Sequence, residues 1–292
     1  MLGAMTAPDV LTVGEVMVDV RVPPDALRAG HVVGRVVMRP GGSSATAAAW
    51  AAASGATAAV VGRIGSDFAG SALRKALEAR AVEPLLVEDE EAPTGVVLLL
   101  GDDVVAERGA NARLRPEDLP ATIGSPAVLV SGYLLLHEDT EPAARAALAQ
   151  TRGPWIAVDA ASAQLVERFG PKRFFAATEA ATVLFVNEAE GRALTGRDGV
   201  DAAQALADEY RIVCLKQGAA GALAVVDGRL EHASMAEQQP SSLEVTGAGD
   251  AFAGALLAEL VRGGDAASAL AAACAAGAVA LGRRDGWPAS VR

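Results

Sequence analysis

Cysteine, histidine and aromatic residues are scarce in this 292-residue chain, and each scarcity closes a line of interpretation. Its two cysteines, Cys214 and Cys274, sit in apolar runs (IVCLK and AAACAAG), so they supply neither a disulfide framework nor metal-ligand spacing. Buried free thiols are the simpler reading. The three histidines, His31, His137 and His232, are scattered, so no metal cluster can be read from them. A basic excess is missing as well. With 36 acidic against 25 basic residues the formal net charge is −11, which argues against a nucleic-acid partner. It does not argue against a small anion, because a site can be locally positive. The longest weakly apolar stretch, Ala45 to Val61, is rich in Ala, Ser and Thr and is broken by Gly55, a poor membrane span. The start, MLGAMTAPDV, has no basic region followed by an apolar core, so no secretory signal is read and a cytoplasmic location is expected. No Pro-, Gly- or Ser-rich linker divides the chain, and no repeat stands out.

What is present is alternation. Short Val/Leu-rich runs (Val10–Val20, Ala58–Val61, Ala127–Val130, Trp155–Asp159, Thr182–Val186, Ile212–Lys216, Ala222–Val226) alternate with Ala-rich helical stretches such as Ser44–Ser54, Asp250–Val261 and Asp265–Leu281. That pattern predicts an α/β fold with a mainly parallel sheet covered by helices on both faces. Two regions break it. HVVGRVVMRP (31–40) and TGVVLLLGDDVVAERG (94–109) read as strands with no helix between, the second with a Gly-Asp-Asp hairpin signal at 101–103. They predict a small β lid, built from about 20–40 and 94–112, on a single domain spanning 1–292.

In such sheets ligands bind beyond the carboxyl ends of the strands, near helix N-termini. Three junctions there carry glycine: PGGSSATAAAW, KQGAAGALAVV and VTGAGDAFAG. In the last, Gly247 and Gly249 let successive N–H groups converge at a helix start, a receptor for an anion. It is neither a Walker loop nor a dinucleotide GxGxxG, and the missing GxGxxG after the first strand excludes an NAD-dependent dehydrogenase. Asp250 is then a helix cap or a base that accepts a hydroxyl proton during phosphoryl transfer; the stretch alone leaves both open. In NEAEGRAL, Asn187 and Glu190 read as a capping box or as a water-mediated Mg²⁺ site. Asp19, ending the first strand in GEVMVDV, is a solvent-facing charge or a carboxylate for a vicinal diol.

Taken in order, these elements resemble the ribokinase-like (PfkB) family of carbohydrate kinases over essentially the whole chain. GEVMVDV is similar to the family's first strand, PGGSSATAAAWAAASGATAAVVGRIGSDFAG to its N-terminal signature, NEAE to its NxxE motif and VTGAGDAFAG to its C-terminal signature. The resemblance implies a three-layer sandwich with a β lid, ATP and Mg²⁺ as cofactors, and dimerisation through the lid. It implies Asp250 as catalytic base, with Gly247, Ala248 and Gly249 as anion hole. It further implies Asn187 and Glu190 as organisers of Mg²⁺ through water, and Asp19, Gly41 and Gly42 as sugar contacts. Lys216 and Gly218 fall on the nucleotide side.

Departures lie at Thr46, where the family usually has asparagine, and at Glu244, where it has aspartate. DAAS at 159–162 lacks the Asp-x-Asn-x-x-Arg pattern of several sugar-kinase branches. Glu244 and Thr246, with Gly286 and Ser290 of the tail, loosely resemble a K⁺ region. The expected activity is phosphorylation of a primary hydroxyl of a small sugar. The alternatives are a sugar acid of the 2-keto-3-deoxy type gripped by Arg108, a nucleoside, or a non-catalytic binding protein on the same fold. Arg108 reads equally as a solvated surface charge.

Overall fold

The computed structural model describes residues 7–22, 36–100, 103–233, 247–283 and 286–290. The first apolar run is not one strand. It divides into β1 (Val10–Val13) and β2 (Met17–Val22), which belong to different sheets. The break is Gly14, at φ 148°, where a Cβ would lie 2.5 Å from Ser44 Oγ and 2.6 Å from Ser131 Cβ. After β3 (Val37–Gly41) come α1 (Ser43–Ala53), β4 (Ala58–Gly65), α2 (Phe68–Glu78), β5 (Val82–Asp89), β6 (Val96–Leu100) and β7 (Asp103–Glu107). The second half runs β8 (Ala127–Ser131), α3 (Gly132–Leu135), α4 (Glu141–Gln150), β9 (Trp155–Asp159), α5 (Ala163–Phe169), α6 (Pro171–Ala177) and β10 (Val183–Asn187). It ends with α7 (Glu188–Thr195), α8 (Gly199–Leu206), β11 (Ile212–Lys216), β12 (Ala222–Val226), β13 (Arg229–Ala233), α9 (Ala248–Val261) and α10 (Ala266–Leu281).

Nine strands form the main sheet in the order β13-β12-β11-β10-β9-β8-β1-β4-β5, parallel from β11 through β5, with β12 and β13 closing one edge antiparallel. Side chains alternate between two cores, as strand periodicity requires. From β10, Val183 and Phe185 face the core shared with α1, α2, α9 and α10, while Leu184 and Val186 face the core shared with α4 to α8. The sequence pattern missed β5, whose Pro84 is tolerated because the strand lies at the sheet edge. It also missed β13, α5 and α6, which are too short to show a period. Among the described residues no helix is long and apolar enough to cross a membrane.

The expected strand regions form a second sheet, ordered β3-β2-β6-β7. The expected residues 23–35 between β2 and β3 lie outside the described ones. Its register puts Asp19 opposite Arg39 and Val97, and Leu99 opposite Arg21 and Val104. These side chains share the face turned toward a cavity. The other face carries Val20, Met38, Leu98 and Val105, with Met38 64% exposed.

Small residues set the distance between α1 and α9. A Cβ on Gly254 would lie 2.2 Å from the Ala47 carbonyl oxygen, so the helices cross with backbones nearly touching. Gly254→Ala is expected to cost about 1–3 kcal/mol through this overpacking, read as a lower urea midpoint at unchanged m.

Candidate active site

The parallel strands end in polar residues: the register pairs Asn187 with Lys216, while Asp159 lies beside Phe185, two residues earlier on β10. Asp159 closes β9, Asn187 closes β10 and Lys216 closes β11. Lys216 Nζ reaches over β10 to donate to Asp159 Oδ2 at 2.8 Å. Burial alone would lower the pKa of Lys216, but Asp159 and Glu190 outweigh it and raise it, so the ammonium stays charged. Glu190 is 3% exposed; burial first, then Asp159, pushes its carboxyl above the ordinary range against the pull of Lys216.

Asp250 is not a helix cap. The N-cap of α9 is Gly247, at φ 88°, and no side chain caps this helix. Asp250 stands within the first turn, where its Oδ1 accepts from Ser43 Oγ at 2.6 Å. Burial, reinforced by Asp159 and Asp19 and opposed by Ser43 and Lys216, raises its pKa to about 7. Gly249 leaves space for Lys216, whose Nζ would sit 3.2 Å from a Cβ there. Asn187 and Glu190 do complete the capping box: Glu190 N–H donates to Asn187 Oδ1, while Asn187 N–H and Nδ2 donate to the two Glu190 oxygens. Each carboxylate oxygen keeps a further lone pair.

The β2–β3 end supplies Asp19, half-buried, with its pKa raised by burial to about 6 although Arg21 and Arg39 pull it down. Gly41 makes room for it, since a Cβ there would lie 2.2 Å from Asp19 Oδ1. Gly42, at φ 92°, begins α1 with its Cα against the Glu15 carbonyl. Thr46 is buried and its hydroxyl accepts from Trp287 Nε1 at 2.9 Å, so the tail is tied to α1. Trp50 Nε1 donates to Gly286 O at 2.7 Å in the same tie. Arg108 is no surface charge. Its side chain is 17% exposed, donates to Thr140 Oγ1 at 3.0 Å and stands 3.8 Å from Glu15 Oε1. Glu15 is held by Ser131 Oγ at 2.6 Å.

All of this surrounds one cavity of about 550 Å³ between the main sheet and the second sheet. Of the residues singled out from sequence, Asp19, Gly42, Thr46, Arg108, Asn187, Glu190, Lys216, Gly247, Gly249, Asp250 and Gly286 line it. Gly41 backs Asp19, and Ala248 begins α9 beside it. Gly218 sits in a short 3₁₀ turn and Ser290 is exposed; neither lines the cavity. Glu244 and Thr246 lie outside the described residues. Sequence reasoning did not single out Glu15, Arg21, Arg39, Ser43, Tyr133, Asp159 or Trp287 as lining residues. A signal existed for two of them. Asp159 ends an apolar strand as Asp19 does, and Ser43 follows the paired glycines.

No group of three or more His, Cys, Asp or Glu side chains capable of caging a metal occurs among the described residues. Carboxylates around a single lysine are hard oxygen donors in excess. They fit Mg²⁺ held through water and phosphate oxygens, the mode that ion prefers, and not a protein cage.

Comparison with known proteins identifies the family and the fold. The profile described as pfkB family carbohydrate kinase matches residues 7–287. An ATP-dependent ribose-1-phosphate kinase of Halopiger xanaduensis is 32% identical over 259 residues, covering 83% of this chain and 80% of that one. A fructokinase of Escherichia coli is 29% identical over 247 residues, 78% of each chain. Among solved structures, an Escherichia coli protein described as a ribokinase II, in complex with ATP and Mg²⁺, superposes with a TM-score of 0.85. It covers 95% of this chain and 94% of its own at 22% identity, a likeness of fold.

Lys216→Met leaves Asp159, Glu190 and Asp250 without their shared cation. A loss of about 3 kcal/mol in urea unfolding is expected at pH 8. The loss shrinks toward pH 5, where protonation of the carboxyls with raised pKa removes the repulsion.

Proposed function

The chain belongs to the pfkB family of carbohydrate kinases, and from that premise we propose that it transfers the γ-phosphoryl group of ATP to a primary hydroxyl of a small sugar or sugar-like acceptor. The observation that carries the reading is Asp250, a carboxylate with a raised pKa at the start of α9, on a cavity whose other end presents Asp19. The acceptor lies along Asp19, Gly41, Gly42 and Thr46 with its reacting hydroxyl at Asp250. As the oxygen forms its bond to phosphorus and the bond to ADP breaks, the hydroxyl proton passes to Asp250. The N–H groups of Gly247, Ala248 and Gly249, with the positive end of α9, offset the charge on the transferred group. Asn187 and Glu190 would hold Mg²⁺ through water, and the ion would neutralise phosphate charge. Lys216 and Gly218 stand on the nucleotide side. A primary hydroxyl is the fitting acceptor because its carbon projects from the ring, so it reaches Asp250 while the ring stays against Gly41 and Gly42.

The second sheet is read as a lid. Its cavity face would exclude water from the reacting groups and limit hydrolysis of ATP. Its other face, with Met38 and Val105 exposed, fits a second copy of this chain and supports a homodimer. Use of ATP agrees with a cytoplasmic location. A K⁺ requirement stays within the reading: the Gly286 carbonyl accepts from Trp50 yet keeps a second lone pair. Comparing turnover in potassium with turnover in tetramethylammonium checks it.

Coupled ADP release over a panel of sugars, sugar acids, sugar phosphates and nucleosides tests the activity. Release dependent on an acceptor is expected, and a folded protein that releases ADP with none would be a binding protein instead. With the best acceptor, Asp250→Asn should lower turnover by roughly 10²–10⁴ without loss of fold. Because a base works deprotonated and the pKa of Asp250 lies at about 7, kcat should rise with pH through neutrality. Below that it should fall about tenfold per pH unit. Light scattering should give a dimer, which Met38→Asp shifts to monomer.

A further inference from the structure

The two ends of the cavity differ in charge. At the α9 end, Asp159, Glu190 and Asp250 surround one lysine, an excess of negative charge that suits a metal–nucleotide complex. At the second-sheet end the balance reverses, with Arg21, Arg39 and Arg108 against Asp19 and Glu15. His137 adds no charge at neutral pH, because burial and Arg108 hold its pKa below the ordinary value. A locally positive end is unexpected on chance in a chain of net charge −11.

Arg108 donates to Thr140 and stands 3.8 Å from Glu15, with its buried Nε left without a hydrogen-bond partner. Arg21 and Arg39 are different in placement. They project from adjacent strands onto the same cavity face as Asp19, Arg39 directly across from it and Arg21 two residues along. Both pull down the pKa of the Asp19 carboxyl, which burial raises. A neutral sugar needs carboxylates and amides for its hydroxyls, which Asp19 and the Gly41–Gly42 backbone supply. It has no use for two planar forks beside them. Guanidinium groups match the oxygens of phosphate and carboxylate, where a bidentate pair adds direction as well as charge.

We propose that the acceptor carries an anionic group, a phosphate or a carboxylate, at the end away from the hydroxyl that is phosphorylated, and that Arg21 and Arg39 receive it. The proposal rests on the kinase reading and narrows its substrate class. Asp19 then takes a neighbouring hydroxyl.

The test pairs each anion with its neutral parent in the ADP-release assay on the full chain: ribose 1-phosphate with ribose, and fructose 1-phosphate with fructose. Sugar acids of the 2-keto-3-deoxy type form the carboxylate arm, so the better anionic arm identifies the group. The anionic acceptor is expected to exceed its parent at least tenfold in kcat/KM, with KM rising in added salt only for the anion. Arg21→Gln and Arg39→Gln should each lose about ten- to a hundredfold with the anion, mostly in KM, and at least ten times more than with the parent. Arg21→Lys, which keeps the charge, should recover part of the loss, and thermal melts identify any variant that fails to fold. A neutral parent that matches or beats its anion overturns the proposal and leaves the kinase reading standing. Losses equal on both acceptors do the same. No ADP release with any acceptor removes the kinase reading, and this proposal with it.

Discussion

Lys216 donates to Asp159 at 2.8 Å, and around that ion pair the rest of the site is arranged. Glu190 and Asp250 stand close enough to feel both members of the pair. Without the ammonium, three carboxylates would share a partly dehydrated space, each making the next harder to ionise. With it, one negative charge is cancelled and the others are left short of compensation. Burial, with that shortage added to it, raises Asp250 to about 7, within reach of the pH at which a base must be free and still able to take a proton. The same excess of negative charge at the α9 end would suit a divalent cation. In the proposed reading, one lysine among three carboxylates serves the base and a water-mediated cation site together.

The ion pair works only because the backbone holds its members in place. Asp159, Asn187 and Lys216 end neighbouring parallel strands, so their separation follows from the strand spacing and needs no flexible loop. Asp250 comes from α9, whose position is set by contact with α1 through Gly254 and Ala47. Since Ser43 begins α1 and donates to Asp250, the helix crossing also sets the distance between the proposed base and the Gly41–Gly42 turn. The high alanine content, which at first indicates only helix propensity, acquires a purpose here. Small side chains let two helices approach closely enough for their N-terminal ends to share one cavity.

Much of the fold was legible because strand and helix periods are local properties. The alternation of β and α, the two odd strand regions and the glycine-bearing junctions are all visible in order along the chain. What was not legible depended on register and on distant contacts. Val10 to Val20 reads as one apolar run, and only the crowding of Gly14 by Ser44 and Ser131 explains why it serves two sheets. Asp159 has the same local setting as other strand-end carboxylates; its partner lies 57 residues away. Thr46 reads as a substrate contact that lost an amide, yet its hydroxyl accepts from Trp287, 241 residues on. Arg108 reads equally as a solvated charge or a grip for a carboxylate, and only its burial beside Glu15 and Thr140 removes the first reading.

The separation of charge follows from topology as well. The α9 end is built from the main sheet, where carboxylates cluster at parallel strand ends around the N-terminus of a helix. The opposite end is built from strands that leave that sheet, where alternate residues face the cavity and can be charged without disturbing a core. A change at Arg21 or Arg39 alters the second-sheet wall and neither core, since both side chains line the cavity and belong to neither hydrophobic cluster, unlike Val18 on the other face of β2. In the proposed reading, chemistry and much of the acceptor choice reside on separate pieces of backbone. Phosphoryl transfer is constrained by the register of nine strands and the crossing of two helices. In the same reading, acceptor recognition draws on the side chains that a four-stranded sheet turns inward, beside Gly42 and Thr46 at the start of α1, and the sheet's share can change while the transfer machinery stays as it is.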